Sequence, residues 1–358
     1  MSSRPMTRHG VSRRAPPWTR VSSGFTLIEL MVALVLGLIV IAGVVSVFLA
    51  NQQVYRTNQA IGDVQDGSRI SFEMMARDIR DAGLTGCNNN GRVANVLNVA
   101  PGGTGTPAWW ANWGNAVHGY GFGTTTTDPA LTVGTAAGNQ VSGTDSLQLL
   151  GATDTGLSVA ATPSSTAANF KLNDLTSDLT TGDVIIVCDP NHTAIAQITS
   201  YTNSNVTVVH NPGTGSPGNC SKGLGYPTVC TTNGNTYQFG PNSQIFKLAA
   251  VDWYIGTNPV GGKSLYRVSV VTSGSTPTQE TQEMVRDVTA MKILYHQGNP
   301  LGTNFVDAKS IGTDINWATV DAVQVQLTLE SVDKRAGTDV KAISRSFTAT
   351  TTVRNRVN

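Results

Sequence analysis

Charge is scarce in this chain: Lys, Arg, Asp and Glu together make 13% of 358 residues. So dilute a set of ionisable groups offers no acid–base pair that sequence alone could assign to general catalysis. No G-x-S-x-G, no GKS or GKT phosphate loop and no H-E-x-x-H occurs, so the sequence signs of a serine hydrolase, a P-loop NTPase and a zinc protease are missing. The five histidines are scattered and the four cysteines never fall at C-x-x-C spacing, so neither a metal nor a cofactor is expected. Gly213-Thr214-Gly215-Ser216-Pro217-Gly218 fits G-x-G-x-x-G, but Asn219-Cys220-Ser221 follows with no apolar helical period, which a dinucleotide loop requires. Asp174, Asp178 and Asp183 lack calcium-loop spacing and read as turn and cap residues. The chain is therefore expected not to be an enzyme.

Two further absences mark the N-terminus. No acid precedes Glu29, while Arg4, Arg8, Arg13, Arg14 and Arg20 all do. From Leu30 to Ala50 there is neither a charge nor a proline. As a helix these residues span about 31 Å, the thickness of a hydrocarbon core of about 30 Å. An ordinary signal peptide would close with a small-x-small site, but Phe48 stands where the first small residue is needed. A plain anchor explains the span but not its entrance, Gly24-Phe25-Thr26-Leu27-Ile28-Glu29. A carboxylate at membrane depth costs at least about 2.5 kcal/mol unless paired. Glu29 therefore calls for a counter-charge, and the apolar stretch itself offers none.

The formal charge is +1, so losing the five leader arginines leaves −4. A mildly acidic mature chain gives no electrostatic case for nucleic acid. The arginines keep the N-terminus in the cytoplasm and place the bulk in the periplasm. In that oxidising compartment Cys87, Cys188, Cys220 and Cys230 are expected to form disulfides. Four cysteines allow three pairings and sequence does not choose among them; the short local loop favours Cys220–Cys230, which leaves Cys87–Cys188.

Past Ala50 the helix pattern continues to residue 82 in amphipathic form. Ile61, Val64, Ser68, Phe72, Met75, Ile79 and Ala82 make one stripe that another element must cover. Arg69, Glu73, Arg77 and Asp81 alternate in sign on another face, and Gly83 reads as a C-cap. Residues 88–140 read as irregular. Within them Trp109, Trp110, Trp113, Tyr120 and Phe122 form an aromatic cluster, either a satellite core or a contact for a sugar or partner. From 141 onward the pattern is β. Val323 to Leu329 alternate strictly between apolar and polar, as a strand with one face on a core does. Helix on antiparallel sheet follows, an α+β fold. The expected division is 1–24 as leader, 25–83 as helix with 25–50 apolar, and 84–358 as a β-rich head.

Phe25-Thr26-Leu27-Ile28-Glu29 after Gly24 resembles the class III signal of type IV prepilins and pseudopilins. Met75-Ala76-Arg77-Asp78-Ile79-Arg80-Asp81-Ala82-Gly83, then Gly86-Cys87, is similar to the helix end of PilW-type minor pilins. Weaker similarities follow in Thr144–Leu149, Gly182–Asp189, Met291–Tyr295 and Trp317–Val323. The resemblance implies a pilin-like fold. It implies cutting after Gly24 by the prepilin peptidase, methylation of Phe25, and pairing of Glu29 with the terminal amine of an adjacent subunit. The implied setting is the inner membrane and then a pilus, within a minor-pilin complex that primes or tips the fibre beside other minor and major pilins. Two alternatives stay open: a pseudopilin of a type II secretion system, which shares the N-terminus, and a tip adhesin or DNA-binding subunit using Trp109, Trp110 and Trp113. Protein isolated from its native membrane is expected to begin at methylated Phe25 by intact mass and N-terminal analysis; a chain that keeps residues 1–24, or begins beyond Ala50, contradicts this.

Overall fold

A computed structural model of the chain describes residues 24–87, 92–121, 127–164, 167–298, 304–312 and 317–354. The chain divides into two units, Met1–Tyr55 and Arg56–Asn358. Helix α1, Leu27–Asp81, contributes to both. In the first unit every large apolar side chain from Phe25 to Leu49 is exposed.

In the second unit α1 is amphipathic, and its buried positions are Ala60, Val64, Ser68, Ser71, Met75 and Ile79. The stripe is turned slightly from the one read in the sequence, because Ala60 and Ser71 are buried while Ile61 and Phe72 are half-buried. Small residues win these places because a sheet lies close. A Cβ on Gly67 would sit 3.1 Å from Leu329 Cδ2. Burying the two serines is tolerable because their hydroxyls donate to the helix's own carbonyls, Ser68 to Gln65 and Ser71 to Gly67, each at 2.8 Å. Gly83 ends the helix in the left-handed region at φ 72°, and its N–H donates to Leu150 O at 2.7 Å.

The helix is covered by two sheets. The larger has ten strands. Its centre is β8, Gln244–Thr257, preceded in the chain by β1 (Val93–Asn95), β2 (Val117–Tyr120), β3 (Ser146–Ala161), β4 (Asn169–Leu172), β5 (Val184–Cys188), β6 (Thr193–Gln197) and β7 (Thr207–Val209). On one edge β8 pairs with β3 along its length. On the other it pairs first with β5 and then with β9 (Lys263–Ser273), which carries β10 (Thr276–Arg286) as a hairpin. All pairs are antiparallel except β1 with β6. The second sheet has the order β11 (Val288–Gln297), β12 (Val320–Glu330), β13 (Ser344–Thr352), and a short helix α2, Ala308–Ile311, precedes β12. Val64, Met75, Ile79 and Ala82 share one core with Leu147, Leu149, Trp253 and Ile255 of the large sheet and with Val323, Val325, Leu327 and Leu329 of β12. The alternation read from Val323 to Leu329 is thus the face that covers the helix, and the fold is α+β as expected.

The described residues within 88–140 are less irregular than their composition suggests. They contribute β1 and β2 to the large sheet, strands too short to show a period of two. Cys87 is joined to Cys188 across 101 residues and Cys220 to Cys230 across 10. By the chain-entropy account these stabilise by about 4–5 and about 3 kcal/mol. The first ties the chain just past the helix to β5.

Two glycines should respond oppositely to alanine. A Cβ on Gly151 would lie 2.7 Å from the Asp81 carbonyl oxygen, so Gly151→Ala is expected to destabilise by about 1–3 kcal/mol. Gly62, within α1, has nothing within 4 Å of its notional Cβ, so Gly62→Ala is expected to stabilise by up to about 1 kcal/mol. Denaturant melts of both variants check the pair; a neutral Gly151→Ala contradicts the close approach of helix end to β3.

Candidate functional site

The entrance of α1 is built by a cap. Gly24, Phe25 and Thr26 precede the helix. Thr26 Oγ1 accepts from the Glu29 N–H at 3.3 Å and donates to Glu29 Oε2 at 3.4 Å. The hydroxyl takes up one of the free N–H groups of the first turn, as an N-cap does; the Thr-x-x-Glu spacing is that of a capping box, with the carboxylate held by the hydroxyl instead of by the cap's backbone N–H. A carboxylate there also faces the positive end of the helix dipole. The motif was present in the sequence as Thr26-Leu27-Ile28-Glu29, and reading it only as a peptidase signal missed its second meaning.

Phe25 is 85% exposed. Gly24 and Phe25 thus stand exposed directly before the helix. Glu29 shares a shallow groove with Thr26, Ile28, Val32, Ala33 and Leu36. It is the sole ionisable side chain between Phe25 and Val54. The first unit holds a helix long and apolar enough to cross a membrane. Fully burying a Leu, Ile, Val or Phe is worth roughly 1.5–3 kcal/mol. Summed over this half-exposed stretch, on the order of 20 kcal/mol of burial remains unrealised. That exceeds the roughly 5–15 kcal/mol by which a whole domain is stable, so the stretch needs lipid or other helices around it.

The tryptophans fall on the outer face of the large sheet. Trp110 is buried with Leu97, Ala100, Leu150 and Ile186. Trp109 and Trp113 are half-buried, and Trp109 also packs on Tyr254, Tyr266 and Val268. Trp110 therefore serves as satellite core, while Trp109, Trp113 and Tyr120 retain some exposed surface. Phe122 lies outside the described residues.

Beneath Trp109's neighbours sits a pair of buried carboxyl groups. Asp128 accepts from Ser146 Oγ, from Gln148 Nε2 at 2.6 Å and from the Ala130 N–H at 2.9 Å. Asp252 of β8 is fully buried opposite Gln148. Burial first, and the nearby Asp128 charge second, hold its carboxyl well above the usual carboxylate range. Asp252 is therefore biased toward its protonated form.

A polar anchor that the sequence did not disclose fixes the helix to the large sheet. Asp78 Oδ2 accepts from Trp253 Nε1 at 2.9 Å and from Arg267 Nε at 3.0 Å. The Arg267 guanidinium also lies 5.8 Å from the Trp253 ring centre. Of the sign-alternating ladder on the helix, Arg69 and Glu73 form an exposed ion pair at 2.9 Å. Asp183, read as a turn residue, accepts from the Thr180 N–H and pairs with Lys247 Nζ, each at 2.9 Å.

Residues 19–45 match the family model of the prokaryotic N-terminal methylation motif. Residues 252–356 match that of the type IV pilus-assembly protein W. The second match runs from the last part of β8 through β13, which includes β12 and part of the large sheet that cover the helix. No curated protein and no solved structure matches the chain.

The buried acid gives a pH test. In the unfolded chain Asp252 releases its proton near pH 3.9, whereas the folded state retains it to higher pH. The folded state thus binds more protons above about pH 4, and its stability falls as pH rises. Asp252→Asn removes that contribution, so its stability relative to the parent is expected to improve steadily from about pH 4 upward. Parallel melts at stepped pH check this; a constant difference contradicts the neutral acid.

Proposed function

We propose that this chain, which is related to type IV pilus assembly and carries a prepilin-type signal, is a minor pilin. It is held in the inner membrane by residues 25–50, cut by the prepilin peptidase between Gly24 and Phe25, and then drawn into a fibre through the same helix. The observation that carries this reading is the exposed apolar half-helix with one carboxylate, Glu29, in its first turn. In lipid the Glu29 charge costs about 2.5 kcal/mol or more. The amine released at Phe25 offsets that cost, and a neighbouring subunit's amine offsets it once the bilayer is left behind. Apolar side chains that stay unburied in the single chain then find partners in copies of the same helix. The role is structural, and its partners are the peptidase and other minor and major pilins.

The match to the pilus-assembly protein W over the strands that cover the helix favours a pilus over a type II secretion pseudopilus. The N-terminal motif alone is common to both. Deleting the gene is expected to abolish twitching and surface pili while protein secretion continues; lost secretion with intact pili would reverse the choice. Glu29→Ala is expected to be cut and inserted normally but to be depleted in sheared pili relative to membranes, by immunoblot of both fractions. Equal recovery of variant and parent in the fibre counts against the pairing role.

A further inference from the structure

Among the described residues, the strands that end the two sheets are β1, β2, β7, β10, β11 and β13. An open strand edge invites pairing with another chain, and proteins blunt such edges in recognisable ways. β1, β2 and β7 are only three, four and three residues long. β10 carries Pro277 and the exposed Glu280, and its register shifts between Glu283 and Val285. β11 is capped: Tyr295 and Val306 exchange backbone bonds, and Asp145 Oδ2 accepts from the Ile293 N–H at 2.7 Å. β13 has none of these devices. Its nine residues, Ser344–Thr352, include no proline, and their register with β12 is unbroken.

The two ends of the β12–β13 ladder fix which backbone groups face outward. Val353 N donates to Asp321 O and Ser331 N to Ile343 O, each at 2.8 Å. Both pairs continue the register of the strands, so the odd-numbered residues between them turn their N–H and C=O to β12. Ser344, Ser346, Thr348, Thr350 and Thr352 turn theirs to the free edge, along roughly 27 Å of strand. No other backbone group among the described residues bonds these five. The side chains describe what fits there. On one face Phe347, Ala349 and Thr351 are half-buried, and Phe347 packs on the core shared with the helix. On the other, Ser346 and Thr350 bond Thr328 and Gln324 of β12. Arg345 is the one charge of the strand; it is exposed and meets no acid within 4 Å among the described residues. The matching strand is therefore amphipathic, with apolar residues beside Phe347 and Ala349, polar ones beside Thr348 and Thr350, and an acid near Arg345.

We propose that β13 is the docking edge for an antiparallel strand of a different pilin subunit. The partner extends the sheet β11-β12-β13 through main-chain bonds, the mode by which extended segments join an open edge. A copy of this chain is a poor source of that strand. Antiparallel pairing of β13 with itself closes a two-fold dimer, whereas a fibre grows through contacts that do not close. The remaining edges of a copy are short, bulged or capped. The proposal rests on the pilus reading and adds to it the place where a neighbour binds.

Thr348 supplies the test, because its N–H points away from β12. Thr348→Pro removes an outward donor and obstructs the edge while keeping the bonds to β12, a place where strands accept proline. Thr348→Val changes the side chain and keeps the donor. Both full-length variants, expressed in the native cells, are expected to be cut after Gly24 as the parent is. Thr348→Pro is expected to fall several-fold in sheared pili relative to membranes, and Thr348→Val to match the parent. Independently, Thr350→p-benzoylphenylalanine is expected to photo-crosslink in cells to another pilin, with mass spectrometry placing the bond in a strand of alternating pattern. The crosslink decides the matter if the proline variant melts early. Equal recovery of Thr348→Pro and parent in pili overturns the docking edge and leaves the pilus reading standing. Equal loss of both Thr348 variants assigns the effect to the side chain and overturns it too. So does the absence of a crosslink, or one that joins only copies of this chain. If the parent itself is missing from sheared pili, the pilus reading fails and the proposal falls with it.

Discussion

Unburied hydrophobic surface on the first half of α1 is the constraint from which the rest follows. Every large apolar side chain from Phe25 to Leu49 is exposed, and the burial they forgo is comparable to the stability of an entire domain. A segment of this kind can persist only in a bilayer or among other helices. The second unit must therefore fold without its help, and it does so on a core of its own.

That core explains the choice of residues on the second half of the helix. Two sheets converge on it, and Gly67, Ser68 and Ser71 stand where the strands come nearest. Larger side chains would push the sheets apart. The packing is supplemented by directional contacts at the helix end. Asp78 binds Trp253 and Arg267, Gly151 leaves room for the Asp81 carbonyl, and Cys87 is bonded to Cys188. Three independent ties within one turn or so of the helix end fix its position on β3, β5, β8 and β9.

Long-period features were legible in the sequence and short or polar ones were not. The helix, its cap at Gly83 and the alternation in β12 follow from spacing, because each is long and has one face on a core. The strand β10 escaped notice because Thr276 to Glu283 are largely exposed and carry no apolar alternation. β3 runs on past Leu150 to Ala161 through Gly151, Gly156 and polar residues, where its register shifts against β8 between Asp154 and Leu157. Asp78 stands outside the charge ladder read on the helix, and no role is assigned to it from the sequence. Its partners lie 175 and 189 residues away, a separation no local pattern encodes. Asp252 likewise reads as a break in an apolar strand until the Asp128 loop is seen to cover it.

Glu29 has two uses, and they belong to different moments. In the single chain it completes the cap with Thr26 and steadies the first turn. In the proposed function, cutting at Gly24 makes it the acceptor for a newly made amine. A cap bond of 3.4 Å between exposed groups is weak enough to be exchanged for an ion pair in an apolar fibre interior, where charge-assisted contacts are stronger. The most direct measurement is the structure of a pilus fibre containing this subunit, at a resolution that shows side chains. The account predicts Glu29 within about 4 Å of the methylated Phe25 nitrogen of an adjacent subunit. A Glu29 carboxylate that in the fibre still bonds its own Thr26 and meets no neighbouring amine contradicts it.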